Sequence, residues 1–296
     1  MNTTNFRMPS NKVRDVERYF YTELEPYYPV GEIRSFIGVL FEAYLGWDTA
    51  KLLLHREECI NQSDLLKFHW AVEDLLRQRP IQHILGYVHF CDLFVEVSPA
   101  VLIPRPETEE IVLRTIESMK GRTARRVLDL CTGSGCIALA LAASFPQADV
   151  YGVDVSSEAL KLAERNAMRN GLDITFEQCD ILHDEPHLGD VKFDLIISNP
   201  PYVKSSQREN MEANVLDYEP ELALFVPDDD PLLFYHVIAQ YAVHHLDAGG
   251  MLVLEINESL GQDTVQLLQE HGFDTELCRD FCDKERSIFA SLKQHI

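Results

Sequence analysis

The chain has 296 residues, 46% of them apolar, which exceeds one ordinary domain and is enough to bury a full core. Its 48 acidic and 26 basic side chains give a net charge of -22, a field that repels phosphate backbones and weighs against a nucleic-acid partner. No apolar run is long enough to span a bilayer, and the polar start Met1–Ser10 does not read as a secretory signal.

The charge is uneven. Residues 1–79 hold 12 acidic and 10 basic side chains, whereas residues 80–296 hold 36 and 16. A basic protein partner suits the second part, and so does plain solubility. The seven cysteines, at 59, 91, 131, 136, 179, 278 and 282, include no Cys-x-x-Cys pair and no nearby histidine that would complete a zinc site. They read as reduced thiols of a cytoplasmic protein, with no metal.

The first segment is helical. Ile33, Phe36, Ile37, Leu40, Phe41 and Tyr44 share one helical face, as do Leu65, Phe68, Val72, Leu75 and Leu76, with Pro80 as the stop. Residues 1–80 therefore form a small helical domain. From Ile81 the pattern turns to short β-type runs such as Leu93–Val97, with Gly86 in a turn, so a β-hairpin connector is expected over 81–105. It leads into Leu102-Ile103-Pro104-Arg105-Pro106-Glu107-Thr108-Glu109-Glu110. The prolines keep this piece extended, and the acids after Pro106 suit the first turn of a helix. A bare linker needs neither Arg105 nor Thr108, so linker and ligand-contact readings stand side by side.

Residues 106–296 alternate strands with helices, the pattern of a parallel α/β sheet. Strands are expected at 126–131, 149–155, 174–178, 193–198 and 251–256, with two more at 275–278 and 287–291. Asp228-Asp229-Asp230 reads as a solvated loop.

The first of these strands runs into Asp129-Leu130-Cys131-Thr132-Gly133-Ser134-Gly135-Cys136. Gly133 and Gly135 permit a tight turn close to a ligand, as in nucleotide-binding βαβ units. Asp154, nineteen residues past Gly135, ends the second strand and suits the two hydroxyls of a ribose. Asp180, after the third strand, suits an adenine amino group equally as it suits a helix N-cap. Taken alone, these features also fit a dinucleotide-dependent oxidoreductase.

The fourth strand is followed by Asn199-Pro200-Pro201-Tyr202. Asn199 offers a side-chain carbonyl, and Pro200 offers a backbone carbonyl without a competing N–H, so two acceptors face one planar NH2 group. The prolines hold both rigid, and Tyr202 adds a stacking face. Such acceptors favour the positive charge that develops when a conjugated nitrogen attacks an electrophile. Hydride transfer has no use for them, whereas a methyl donor with a ribose, an adenine and a sulfonium does. If the first and fourth strands are neighbours, the glycine loop and the Asn199 loop share one crevice.

With these motifs the chain resembles, over almost its whole length, the peptide chain release factor N(5)-glutamine methyltransferases, the PrmC/HemK family. The likeness rests on the helical domain, Pro80–Gly86, Leu102–Glu109, the glycine loop, Asn199–Tyr202 and the tail Arg279-Asp280 to Glu285-Arg286. It implies a Rossmann-like S-adenosylmethionine-dependent methyltransferase sheet behind a release-factor-binding N-terminal domain. It also implies methylation of the glutamine side chain in the Gly-Gly-Gln motif of class I release factors, with S-adenosylhomocysteine as product. The donor would contact Cys131, Thr132, Gly133, Ser134, Gly135, Asp154, Asp180, Ile181 and Asn199. The glutamine would lie on Asn199, Pro200, Pro201 and Tyr202, with Asn199, Pro200 and Tyr202 catalytic. Cys131 stands where the loop's first glycine is common, Ile181 where a relative has tryptophan, and Cys282 where the tail has glycine. A cytoplasmic monomer without direct nucleic-acid contact is expected. A ribosomal-protein glutamine, a nucleic-acid adenine, or a non-catalytic binding module are the competing readings.

Overall fold

The computed structural model describes residues 10–122, 124–189 and 191–293. The polar start falls outside them except for Ser10. The described residues form two compact units, one reaching to Gly86 and including Ala213–Tyr218, the other holding the rest.

The first unit contains Val13–Leu24 (α1), Val30–Leu45 (α2), Thr49–Leu54 (α3), Gln62–Leu76 (α4) and Ile81–Leu85 (α5). Both expected stripes lie on helices that bury them: Ile33, Phe36, Ile37, Leu40 and Phe41 on α2, and Leu65, Phe68, Val72 and Leu75 on α4. Gly46 ends α2 in the left-handed region at φ 64°, and the Asn61 side chain caps α4 by accepting from Asp64 N. Phe41 and Phe68 meet at a ring-centroid distance of 4.4 Å in the centre of this core.

Ile81–Leu85 is helical where the sequence reading expects a β-type run. Pro80 opens this helix and does not stop the previous one, which ends at Leu76. Its fixed φ suits a helix start, and Ile81, Ile84 and Leu85 recur at helical spacing to pack on the same core. The connector expected over 81–105 is thus divided at Gly86. A further short helix of this unit, Ala213–Tyr218, numbered α9 in chain order, places the Tyr218 hydroxyl as donor to the Arg77 carbonyl at 2.9 Å.

The second unit opens with the hairpin Tyr87–Phe90 (β1) and Leu93–Glu96 (β2), closed by Cys91 and Asp92 at φ 48° and 63°. Two residues with positive φ make the turn whose twist matches a hairpin. After Pro106–Ser118 (α6) come Arg126–Leu130 (β3), Cys136–Ser144 (α7), Asp149–Asp154 (β4), Ser157–Asn170 (α8), Thr175–Gln178 (β5) and Phe193–Ser198 (β6). Val203–Lys204 (β7) and Phe225–Val226 (β8) pair apart from the main sheet. Leu233–His245 (α10), Leu246–Glu255 (β9), Gly261–Glu270 (α11), Phe273–Arg279 (β10) and Glu285–Leu292 (β11) complete it. All seven expected strands are present.

The main sheet has the order β10-β11-β9-β6-β3-β4-β5, and only β11 runs antiparallel. Alternation along the strands feeds two cores. Val127, Leu195, Ile197 and Val253 face the α7 side, whereas Leu128, Ile196, Leu252 and Leu254 face α10 and α11. Helix α7 is buried from Cys136 to Ala142, which its small side chains allow.

Register places the chemistry. Leu130 pairs with both Val153 and Ser198, and Ser198 pairs with Leu254. The next residue on each strand is Cys131, Asp154, Asn199 and Glu255, so these four form one row along the carboxyl edge of the sheet. Among the described residues no helix is long and apolar enough to cross a membrane. Phe68→Ala should leave a cavity in the helical core and lower its unfolding free energy by about 3–5 kcal/mol, measured by chemical denaturation; a loss near zero would contradict this packing.

Candidate active site

The glycine loop is held from below by Asp129, which is fully buried in β3. Its Oδ2 accepts from the Thr132 hydroxyl at 2.5 Å and from Ala138 N at 3.2 Å, while Oδ1 has no hydrogen-bond partner. Burial pushes this carboxyl up to about 7. The loop itself requires left-handed backbone at Cys131 (φ 62°), Gly133 (φ 54°) and Gly135 (φ 80°). A side chain at Cys131 is strained there, where glycine would not be. Gly135 serves packing: a Cβ on it would stand 3.0 Å from the Ala163 Cβ. A Cβ on Gly133 would meet nothing within 4 Å, so this glycine borders open space.

That space is a cleft of about 190 Å³. Cys131, Thr132, Gly133, Ser134, Asp154, Asp180, Ile181, Asn199 and Pro201 all line it, so the expected residues converge from four strand ends. Gly135, Pro200 and Tyr202 are not among its lining residues. A larger cleft of about 510 Å³, bordered by His183, His244 and His271, contains neither the glycine loop nor Asn199, and volume alone therefore does not locate the chemistry.

Asp154 Oδ2 accepts from Gly133 N at 2.8 Å, and Oδ1 accepts from Ser156 N at 2.9 Å. Burial raises this carboxyl, against the pull of those backbone donors. Each carboxylate oxygen keeps a further lone pair for a ligand hydroxyl. Asp180 turns inward on its own loop, with Oδ1 accepting from Leu182 N at 3.1 Å and Oδ2 2.9 Å from His183 Nδ1. No helix starts at Asp180, so its present bonds are those of a loop acid and not of a helix N-cap, and it borders the cleft beside the apolar Ile181 and Leu182.

Asn199 is half-buried, and its Nδ2 donates to the Thr108 Oγ1 at 3.2 Å. The Thr108 hydroxyl in turn donates to Glu255 Oε2 at 2.7 Å, and the Tyr202 hydroxyl donates to Glu255 Oε1 at 3.1 Å. The Tyr202 ring packs against the α10-side core, and Asn257 Nδ2 donates to the Tyr202 carbonyl at 3.0 Å. Burial raises both the Glu255 carboxyl and the Tyr202 phenol, while the Arg286 charge opposes both shifts.

A further buried acid, Glu219, accepts from Ile103 N at 3.1 Å and from Arg105 Nη2 at 2.5 Å. This clasp fixes the extended Leu102–Arg105 segment against the cleft wall formed by Pro220 and Leu222. Thr108, Arg105, Glu219 and Glu255 were absent from the expected site. Arg105 and Thr108 carried a signal in their unusual linker. Glu255 carried another, an acid within the apolar run Met251–Ile256. Glu219 is one acid among many and carried none.

The sheet order argues against a dinucleotide site, because the hairpin of β10 and β11 stands where a second mononucleotide half would continue in parallel. With the glycine loop, Asp154 and the Asn-Pro-Pro-Tyr turn along one edge, the fold and site define an S-adenosylmethionine-dependent methyltransferase. The family model described as PrmC N-terminal domain matches residues 27–86, and that described as Methyltransferase small domain matches residues 109–217. A release factor glutamine methyltransferase of Flavobacterium psychrophilum is 40% identical over 280 residues, covering 93% of this chain and 98% of the relative. Its counterpart in Bacteroides thetaiotaomicron is 37% identical over 277 residues, covering 93% and 99%. The chain belongs to the release factor glutamine methyltransferase family.

Asp129 makes stability depend on pH. Its native carboxyl holds a proton up to about pH 7, whereas the unfolded chain releases it near 3.8. The native state therefore binds more protons across that window, and its stability falls as pH rises through it. Asp129→Asn removes this slope: between about pH 5 and about pH 8, wild type should lose more melting temperature than the variant, and equal losses would contradict the buried acid.

Proposed function

We propose that this chain methylates the side-chain amide nitrogen of the glutamine in the Gly-Gly-Gln motif of class I peptide chain release factors, as a cytoplasmic monomer without direct nucleic-acid contact. The observation that carries this reading is Asn199 on the wall of the glycine-loop cleft, with Nδ2 committed to Thr108 and its carbonyl oxygen left to accept.

The donor set of the cleft fits S-adenosylmethionine: open space beside Gly133, the Asp154 carboxylate for ribose hydroxyls, and an apolar wall of Ile181 and Leu182 next to Asp180 for a flat base. Cys131, Thr132, Ser134 and Gly135 would shape the loop around the donor, Gly135 through its contact with Ala163. When bound, the cofactor supplies an electrophilic methyl group and leaves as S-adenosylhomocysteine. Asn199 Oδ1 and the Pro200 carbonyl would accept the two N–H groups of the glutamine amide and stabilise the positive charge that develops on its nitrogen, which releases one proton to solvent once the methyl has left the sulfonium. Pro201 keeps Pro200 extended, and Tyr202, tied to Glu255, holds the far end of the turn.

The helical domain, which reaches to Gly86, would grip the release factor, with 87–105 as connector and 106–296 as the catalytic domain. The exposed Leu54 and Trp70, 83% and 61% accessible, supply apolar surface on the described part of that domain. The acidic excess of residues 80–296 suits a basic protein substrate and opposes an adenine in a phosphate backbone. The two relatives are named for release factors, which favours them over a ribosomal-protein glutamine.

Purified chain with S-adenosylmethionine and unmodified release factor should add one methyl to the Gly-Gly-Gln peptide, read by mass spectrometry; an unmodified peptide with intact donor binding would overturn the reading. Asn199→Ala should lower kcat on the order of a hundredfold or more with donor affinity retained. Asp154→Ala should weaken donor binding roughly ten- to a hundredfold by calorimetry. If Asn199→Ala retains wild-type kcat, its role as acceptor is wrong.

A further inference from the structure

The acceptor role of Asn199 depends on which end of its amide faces the substrate, and the two ends differ only in hydrogen bonding. Glu255 follows Leu254, the register partner of Ser198, so it stands beside Asn199 at the sheet edge. Its side chain comes from β9, 3% exposed, into a space it shares with Thr108 of α6.

A threonine hydroxyl has one hydrogen. Thr108 gives it to Glu255 Oε2 at 2.7 Å, so toward Asn199 it can offer only a lone pair. The group that meets that lone pair at 3.2 Å is the amide nitrogen. Since the amide is planar, Oδ1 then points away from Thr108. Reversing the amide would set Oδ1 against the Thr108 lone pairs and present an NH2 group to the NH2 group of a glutamine, a repulsive pairing on both sides. The other carboxylate oxygen, Oε1, holds the Tyr202 hydroxyl at 3.1 Å, so one buried group ties down both ends of the Asn-Pro-Pro-Tyr turn.

We propose that Thr108 and Glu255 are positioning residues for methyl transfer, the carboxylate fixing the orientation of the Asn199 amide through the Thr108 hydroxyl while it anchors Tyr202. The proposal rests on the reading of Asn199 as acceptor for the glutamine amide. It also gives a reason for a carboxylate to lie buried at this edge. A neutral hydrogen-bonding group there could donate as well as accept, and Thr108 would be free to turn its hydrogen toward Asn199.

The test compares Thr108→Val, which keeps shape and removes the hydroxyl, with Thr108→Ser, which keeps the hydroxyl, and with Glu255→Gln. The full chain, S-adenosylmethionine and unmodified release factor are used throughout. Thr108→Val should lower kcat on the order of ten- to a hundredfold, with KM for the donor and the release factor each within about twofold of wild type. Thr108→Ser should restore kcat to within about threefold, and Glu255→Gln, shown to be folded by circular dichroism, should lower kcat as Thr108→Val does. Wild-type kcat in Thr108→Val, an equal loss in Thr108→Ser, or wild-type kcat in folded Glu255→Gln would each overturn the proposal. A general loss of fold would raise both KM values or lower the active fraction in the serine variant too, which also counts against it. Failure of the functional reading is distinct: there the wild-type chain itself leaves the release factor unmodified.

Discussion

The parallel pairing of β3 with β6, Leu130 against Ser198, is the constraint on which the rest of the site depends. It reverses the strand order at that point, and an open sheet splits into a crevice where its order reverses. Because neighbouring strands stay in register, the row Cys131, Asp154, Asn199 and Glu255 forms without any of these residues being near another in sequence. A slip of one residue on β6 would turn Ser198 and Asn199 to opposite faces and disperse the site. The buried apolar residues of β6 on both faces prevent such a slip, so the core of the α/β unit also acts as the jig for its chemistry.

The same edge concentrates buried acids. Asp129, Asp154 and Glu255 all have carboxyls raised by burial, each held by hydrogen bonds from the loop or turn it supports. Burying three such groups weakens the fold, and a site under no functional demand would replace them with apolar side chains. Each has a partner that accounts for it: Thr132 and Ala138 for Asp129, Gly133 and Ser156 for Asp154, Thr108 and Tyr202 for Glu255. Asp129 and Asp154 therefore both hold the glycine loop, and Glu255 holds the Asn-Pro-Pro-Tyr turn through Thr108 and Tyr202.

Local patterns made much of this legible in the sequence. Apolar runs with branched side chains gave the seven strands, and stripes at helical spacing gave α2 and α4. Glycines next to a strand end gave the loop, and the strand-to-proline junction at Ser198-Asn199 gave the acceptor turn. What stayed hidden depends on separation. The bond from Thr108 to Glu255 joins residues 147 apart, and the Arg105 clasp to Glu219 joins residues 114 apart. No periodicity encodes such pairs. Ile81–Leu85 departs from the expected β-type run because five residues are too few to tell a helical from a β-type period, and Pro80 fits a helix start as well as a helix stop. Tyr202 looked like a stacking face because aromatic rings stack, whereas its neighbours show a ring packed on the core and a hydroxyl tied to Glu255.

In the proposed function, donor and glutamine meet in the β3–β6 crevice with Asn199 between them. This arrangement is tested most directly by a crystal structure of the chain with S-adenosylhomocysteine and a peptide containing Gly-Gly-Gln. The nucleoside is expected between the glycine loop and Asp154, and the glutamine NH2 within hydrogen-bond distance of Asn199 Oδ1 and the Pro200 carbonyl, with Asn199 Nδ2 still on Thr108. A nucleoside seated instead in the larger cleft bordered by His183, His244 and His271, or a glutamine amide turned away from Asn199, would contradict it.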